Sequence, residues 1–212
     1  MESISQVIAK MKAGSKQSII MQQNSLQNLA KQENNLQIAQ QVQNLIRQYQ
    51  TFDNFLKENN PSKQLEVCRK SDLCFFGSSP TLTILDATYG KLKSEIWLTP
   101  QIIDVSLNCG LKEDASKDQI RTMAIGISTM YQWLKVDELM LFFFRFKLGI
   151  YERFYSRFDT QTMMESFRPF LAERGRAFEV RKQQIREIQE IEDRKSAITY
   201  EEYCQRHNDG SH

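Results

Sequence analysis

The stretch Asp137-Glu-Leu-Met-Leu-Phe-Phe-Phe-Arg-Phe-Lys-Leu-Gly149 decides the fold. After Asp137 and Glu138 it is apolar nearly all round, and the stretch Leu139 to Ile150, interrupted only by Arg145, Lys147 and Gly149, is at about twelve residues too short and too charged for a bilayer span of roughly twenty. A helix with apolar side chains on every side must be covered on every side, so the segment predicts the central helix of a helical body. Asp137 is placed to cap it, and Gly149 to close it in a left-handed position.

Outward from this segment the chain is punctuated by helix signals. Asn60-Pro61, Ser79-Pro80 and Thr99-Pro100 each pair a capping side chain with a proline whose missing N–H costs nothing in a first turn, and each predicts a helix start. Gly90 and Gly110 are the matching stops. Ser116-Lys-Asp-Gln119 predicts a capping box, opening a helix whose buried face carries Ile120, Met123, Ile127, Met130, Tyr131 and Leu134. After Gly149 the connector Tyr151 to Phe158 leads to Asp159 or Thr160 as the next cap, and Pro169 and Gly175 are expected to break or bend the helix that follows. Alternation of the kind a strand needs is confined to Lys91–Leu98 and Leu73–Phe76.

The two ends differ from the middle. From Lys16 to Asn59 the chain is crowded with Gln and Asn, but Val42, Leu45, Tyr49, Phe52 and Leu56 step by three and four, as one side of a helix pair does. Upstream, Leu26, Leu29 and Leu36 continue the stripe with Glu33 and Gln40 interrupting it, so this helix should be held most firmly near its C-terminal half. From Ala177 to Lys195 a strongly charged helix carries a thin seam of Phe178, Arg181, Ile185, Ile188 and Glu192. Such a seam suits pairing with another helix, whether the N-terminal one or that of a second chain. The expectation is therefore an all-α bundle of about seven to eight helices with long amphipathic N- and C-terminal helices. Its parts are a Gln/Asn-rich arm at 1–60, a core domain at 61–175, a charged C-terminal helix at 176–206 and a disordered tail at 207–212.

Composition narrows the function classes. The chain has 212 residues with 41% hydrophobic and 25% charged side chains, few Gly (8) and Pro (4), and a formal net charge of +2, so any polyanion-binding surface must be local. The N-terminal residues lack a charged n-region followed by an apolar run, and Cys68, Cys74, Cys109 and Cys204 form no C-x-x-C pair. These features predict a cytoplasmic protein with reduced, inert thiols. The only histidines are His207 and His212, in the tail, which leaves no His-based triad or zinc site for the folded body, and no phosphate-cradling glycine motif is present. These absences do not remove a carboxylate mechanism, a remote alternative, but Glu138, Glu165 and Glu173 lie in amphipathic helices where an exposed Glu is ordinary. The expectation is a non-enzymatic binding protein with no cofactor, no metal, no membrane and no small-molecule substrate.

Two binding surfaces can be named. In the first, Arg145, Lys147, Arg153, Arg157 and Arg168 are interleaved with Phe146, Tyr151, Phe154, Tyr155 and Phe158, and Arg174 and Arg176 extend the basic set. Cations that neutralise phosphates beside rings that stack on bases make a single-strand surface, whereas the alternative is that the rings are core and the cations lie at its rim. The second surface is the helix-pairing seam of Val42, Leu45, Tyr49, Phe52, Leu56, Phe178, Ile185 and Ile188. It would serve another protein or self-association. A helix-turn-helix over Thr99–Leu134 has the right order of elements, but Met123, Ala124, Ile127, Met130 and Tyr131 would turn inward where a recognition helix needs polar side chains.

The run Glu138 to Asp159, with Met163-Met-Glu-Ser-Phe-Arg168 and Glu173-Arg174, resembles small uncharacterised proteins of phages and mobile elements, some of them similar to helicase-loader or replication-accessory proteins. Arg145, Lys147, Gly149, Tyr151, Phe154 and Tyr155 carry the likeness. The resemblance implies an accessory or adaptor protein of DNA replication or maintenance acting by protein contact. A structural or assembly protein oligomerising through its terminal helices is the alternative.

Overall fold

The computed structural model describes residues 35–196, which form an all-α bundle. Among these residues the described part of α1 spans 35–49, followed by α2 (Phe52–Glu58), a 3-10 turn (Pro61–Lys63), α3 (Gln64–Cys68), α4 (Ser71–Phe76), α5 (Leu82–Tyr89), α6 (Lys93–Asn108), α7 (Lys117–Met130), α8 (Val136–Lys147) and α9 (Thr160–Ser196). No strand occurs among the described residues beyond a single antiparallel bridge between Thr81 and Lys135. Leu26, Leu29, Glu33 and the 197–212 tail lie outside them.

The central helix is α8, as its composition requires. Leu139 through Phe143 are all buried, and α3, α4, α6 and α9 pack around it. Phe142 stacks on Phe167 of α9 with ring centroids 3.9 Å apart, and Phe170 meets the same ring edge-on at 5.5 Å. Offset and edge-to-face rings add to the area they bury. Gly149 closes the helix at φ 68°, and Gly90 and Gly110 adopt positive φ beyond α5 and α6. Ser116 and Gln119 form the expected capping box, and Asp159 accepts from Gln161 N and Thr162 Oγ1 at the start of α9.

Several starts and stops fall elsewhere than the sequence predicts. Thr99-Pro100 opens no helix: Pro100 lies inside α6, which begins at Lys93 although Leu92 (φ 68°) offers it no capping side chain. The cap comes from α5, where the Asp86 carboxylate accepts from Ser94 N and Ser94 Oγ, each at 2.7 Å. Of the two segments expected as strand, 73–76 is helical, and in 91–98 a turn at Lys91 and Leu92 leads into helix from Lys93. Ser79-Pro80 precedes the α5 start by two residues, since Thr81 caps it through Ile84 N. Asp137 lies within α8, and Lys135 and Glu138 instead begin the helix, with the Glu138 carboxylate accepting from Lys135 N at 3.0 Å. Leu134 lies past the end of α7.

The largest correction concerns α9, which runs unbroken through Pro169 and Gly175 for 37 residues, so the charged C-terminal helix is the continuation of a core helix. Pro169 is exposed, and a proline on the outer side of a helix can forgo one backbone bond when the inner side is held by packing. At the other end the single long helix expected up to Asn59 is broken at Gln50 (φ 62°), and Thr51 caps α2 through Asn54 N. The seam survives the break. Leu45 and Phe55 are buried, Val42, Tyr49, Phe52 and Leu56 pack against the core, and Phe52 lies beside Tyr89 of α5. A buried polar knot fixes the next turn: Trp97 Nε1 and Gln101 Nε2 both donate to the carbonyl left over at Asn59, and Gln64 Nε2 donates to Gln101 Oε1.

Candidate helix-docking groove

Three of the cations proposed for a nucleic-acid surface are committed to internal ion pairs. Arg145 pairs with Glu173 and reaches Tyr151 Oη, Lys147 pairs with Asp104 of α6, and Arg174 Nε lies 2.7 Å from Glu138, whose side chain has no solvent exposure. Burial works against the Arg145 charge, but hydrogen bonds to Tyr151 and Glu173 more than offset it and raise its affinity for its proton. Phe158 is buried and Phe154 is half-buried against Phe146 and Phe158. Tyr155 is 98% exposed, with Arg153 and Arg157 also exposed on the connector and Arg168 and Arg176 on the outer side of α9. The structure therefore divides this set between the rim of the core and solvent.

The carboxylates and thiols sort in a similar way. Glu138 and Glu173 are ion-paired and Glu165 is exposed. Burial raises the Asp137 carboxyl above its ordinary range, and Ser79 partly offsets this through a hydrogen bond. Burial likewise pushes the Cys74 thiol up to about 12 and the Cys109 thiol up to about 11, which makes poor nucleophiles of both. Among the described residues no group of three His, Cys, Asp or Glu could hold a metal ion, and no helix is long and apolar enough to cross a membrane.

The second proposed surface is where the geometry gathers. The inward face of α9 descends by threes and fours through Met163, Phe167, Phe170 and Arg174, all facing the body, and continues in register to Phe178, Arg181, Ile185, Ile188 and Glu192. Phe178 marks the exit from the body. Its ring lies 5.1 Å from that of Phe76 at the end of α4, and beyond it Ile185 is 54% and Ile188 57% exposed. The two halves of the predicted pairing seam thus stay apart: the α1–α2 half is spent on the core, and the α9 half is open.

A chain of stacked cations and rings holds α9 at this exit. The Arg174 guanidinium sits 4.9 Å from the Trp133 ring and 4.5 Å from that of Phe178, and Arg181 lies 4.5 Å over Phe76. Lys135 Nζ donates to the carbonyls of Phe75 (2.9 Å) and Gly77 (2.7 Å), closing the C-terminal end of α4. Between α4 and the projecting helix lies a cleft of about 400 Å³. Phe75, Phe76, Phe178 and Ile185 make it apolar, Lys135, Arg181, Lys182 and Arg186 make it basic, and among the described residues no acidic side chain lines it.

The spacing of α9 marks Phe178, Arg181 and Ile185, whereas nothing in the sequence marks Phe76, Trp133 and Lys135. These three come from loops and short helices with no period of their own, and only the fold brings them to α9.

A family of unknown function (DUF6633) matches residues 115–210, a little under half of the chain, from the cap of α7 through the projecting helix; the α4 wall of the cleft lies outside the match. No curated protein and no solved structure matches the chain.

Proposed function

We propose that the protein is a non-enzymatic helical adaptor that takes an acid-flanked amphipathic helix into the groove between α4 and α9. The observation that carries this reading is the groove itself: four apolar side chains edged by four cations, beside a helix face whose Ile185 and Ile188 no described residue buries. An amphipathic helix fills such a site with side chains at i, i+3, i+4 and i+7, and its flanking carboxylates answer the cations. An accessory role in the replication machinery of a mobile element, which the resemblance implies, is one setting for such an adaptor.

The test uses a labelled synthetic peptide with an Ile/Leu seam and Glu flanks, its Lys-flanked counterpart, and the protein at nanomolar dilution. Fluorescence anisotropy should show the Glu peptide binding about tenfold tighter or better, and Arg181→Glu with Lys182→Glu should reverse the preference. Failure to bind either peptide, or equal affinity for both, overturns the reading.

The exposure of Tyr155 between Arg153 and Arg157 supports a second reading, contact with single-stranded nucleic acid. Arg153→Glu with Arg157→Glu should then abolish a salt-sensitive anisotropy signal on an oligonucleotide while leaving the melting temperature unchanged. Absence of that signal for the unaltered protein at low salt removes this reading.

A further inference from the structure

We infer that the groove takes the distal half of α9 from a second copy of the chain, the two helices pairing antiparallel; this deepens the adaptor reading and rests on it. The inference comes from the order of charges along the open seam. Its positions run Phe178, Arg181, Ile185, Ile188 and Glu192, followed at the same spacing by Lys195. Antiparallel helices place an a position of one opposite a d position of the other. A single register sets Ile185 against Ile188 of the second copy, twice over by symmetry. That register also sets Arg181 against the second copy's Glu192 and Phe178 against its Lys195, so the isoleucines meet in the middle, Arg181 and Glu192 find opposite charges, and Lys195 comes over an aromatic ring.

The groove favours the same arrangement. The proximal stretch of the projecting helix, which also holds Glu179, supplies Arg181, Lys182 and Arg186 to a cleft that no described acidic side chain lines, whereas the distal stretch carries Glu187, Glu190, Glu192 and Asp193 against Arg194 and Lys195, with Arg194 4.0 Å from Glu190. An antiparallel second copy brings its acidic stretch alongside the basic wall, and Glu192 arrives where Arg181 lies over Phe76. In a parallel pair Arg181 would face Arg181 and Glu192 would face Glu192. The projecting part of α9, 177–196, is about 30 Å long at 1.5 Å per residue, enough for nearly three heptads. A pair that short is marginal by itself, and the walls of the two grooves supply additional apolar surface.

Sedimentation equilibrium of the full chain, run over a concentration series, tests the inference. A reversible dimer is expected. Arg181→Glu alone puts two carboxylates together in each of two layers, and Glu192→Arg alone puts two cations together there; each should weaken the dimer by roughly a hundredfold. Mixing the two variants should restore association, because every substituted position then faces an opposite charge, and the double variant should self-associate like the unaltered chain. Circular dichroism confirms that each remains folded, as expected for changes at exposed positions. A monomer throughout the series, or a dimer indifferent to the single changes, or no recovery in the mixture, overturns the inference. If the chain is monomeric yet the Glu-flanked peptide still binds, the homotypic pairing alone has failed; if neither occurs, the groove reading has failed with it.

Discussion

The two halves of α9 share one helix, one face and one spacing, but their surroundings are opposite. From Met163 to Arg174 the inward face meets the rings of α8 and the buried Glu138, whereas from Phe178 onward the same face meets solvent once the short α4 wall is passed. The residues record the change: Met163, Phe167 and Phe170 give way to Arg181, isolated isoleucines and Glu192. A thinner stripe with charges inside it is what a face needs if it must stay soluble alone and still recognise a specific helix. The comparison teaches that periodicity gives the direction of a helix face, while residue content tells whether a neighbour is permanent.

The contrast can be broken most severely at its inner end. Phe167→Ala removes a fully buried ring stacked on Phe142, and a loss of about 3–5 kcal/mol in urea denaturation is expected. At the boundary, Arg174→Ala strips the buried Glu138 carboxylate of its cation and takes the filling from between Trp133 and Phe178, for a loss of about 2–3 kcal/mol by the same measurement. Pro169→Ala should have the opposite sign. Restoring an amide donor inside a continuous helix should stabilise the protein by about 1 kcal/mol, seen as a higher melting temperature; a destabilisation would mean that the proline shapes the helix. Smallest is Ile188→Ser, which at a dilution where the chain is monomeric should change stability by no more than about 0.5 kcal/mol. A larger loss there would show that the distal half is packed against its own chain, and the contrast between the halves would collapse.

Much of the fold was legible because its signals are local. The all-round apolar character of 139–148 predicts a covered helix, and Ser116–Gln119, Asp159, Gly90 and Gly149 cap or close their helices with their own side chains or backbone. The misreadings have a common cause, which is that the deciding group lay elsewhere in the chain. Asp86 begins α6 from α5 and so deprives Thr99-Pro100 of its role, and the packing of Phe167 and Phe170 on α8 carries α9 past Pro169. For the candidate site, spacing revealed the seam from Phe178 to Ile188 but not that its two predicted halves would part company. It likewise revealed the mixture of Arg and aromatic residues near 145–158, but not that Arg145, Lys147 and Arg174 would each meet a carboxylate from another element.

By itself the sequence determined the helical class, the identity of the central helix and the spacing of the apolar faces at 42–56, in α7 and in the projecting part of α9, because backbone capping and the 3.6-residue period act over one or two turns. Only the tertiary structure decided which faces are shared, which cations are already neutralised and where an apolar stripe outruns its neighbours. Those outcomes depend on residues tens of positions apart arriving at the same place, and no local pattern encodes that meeting.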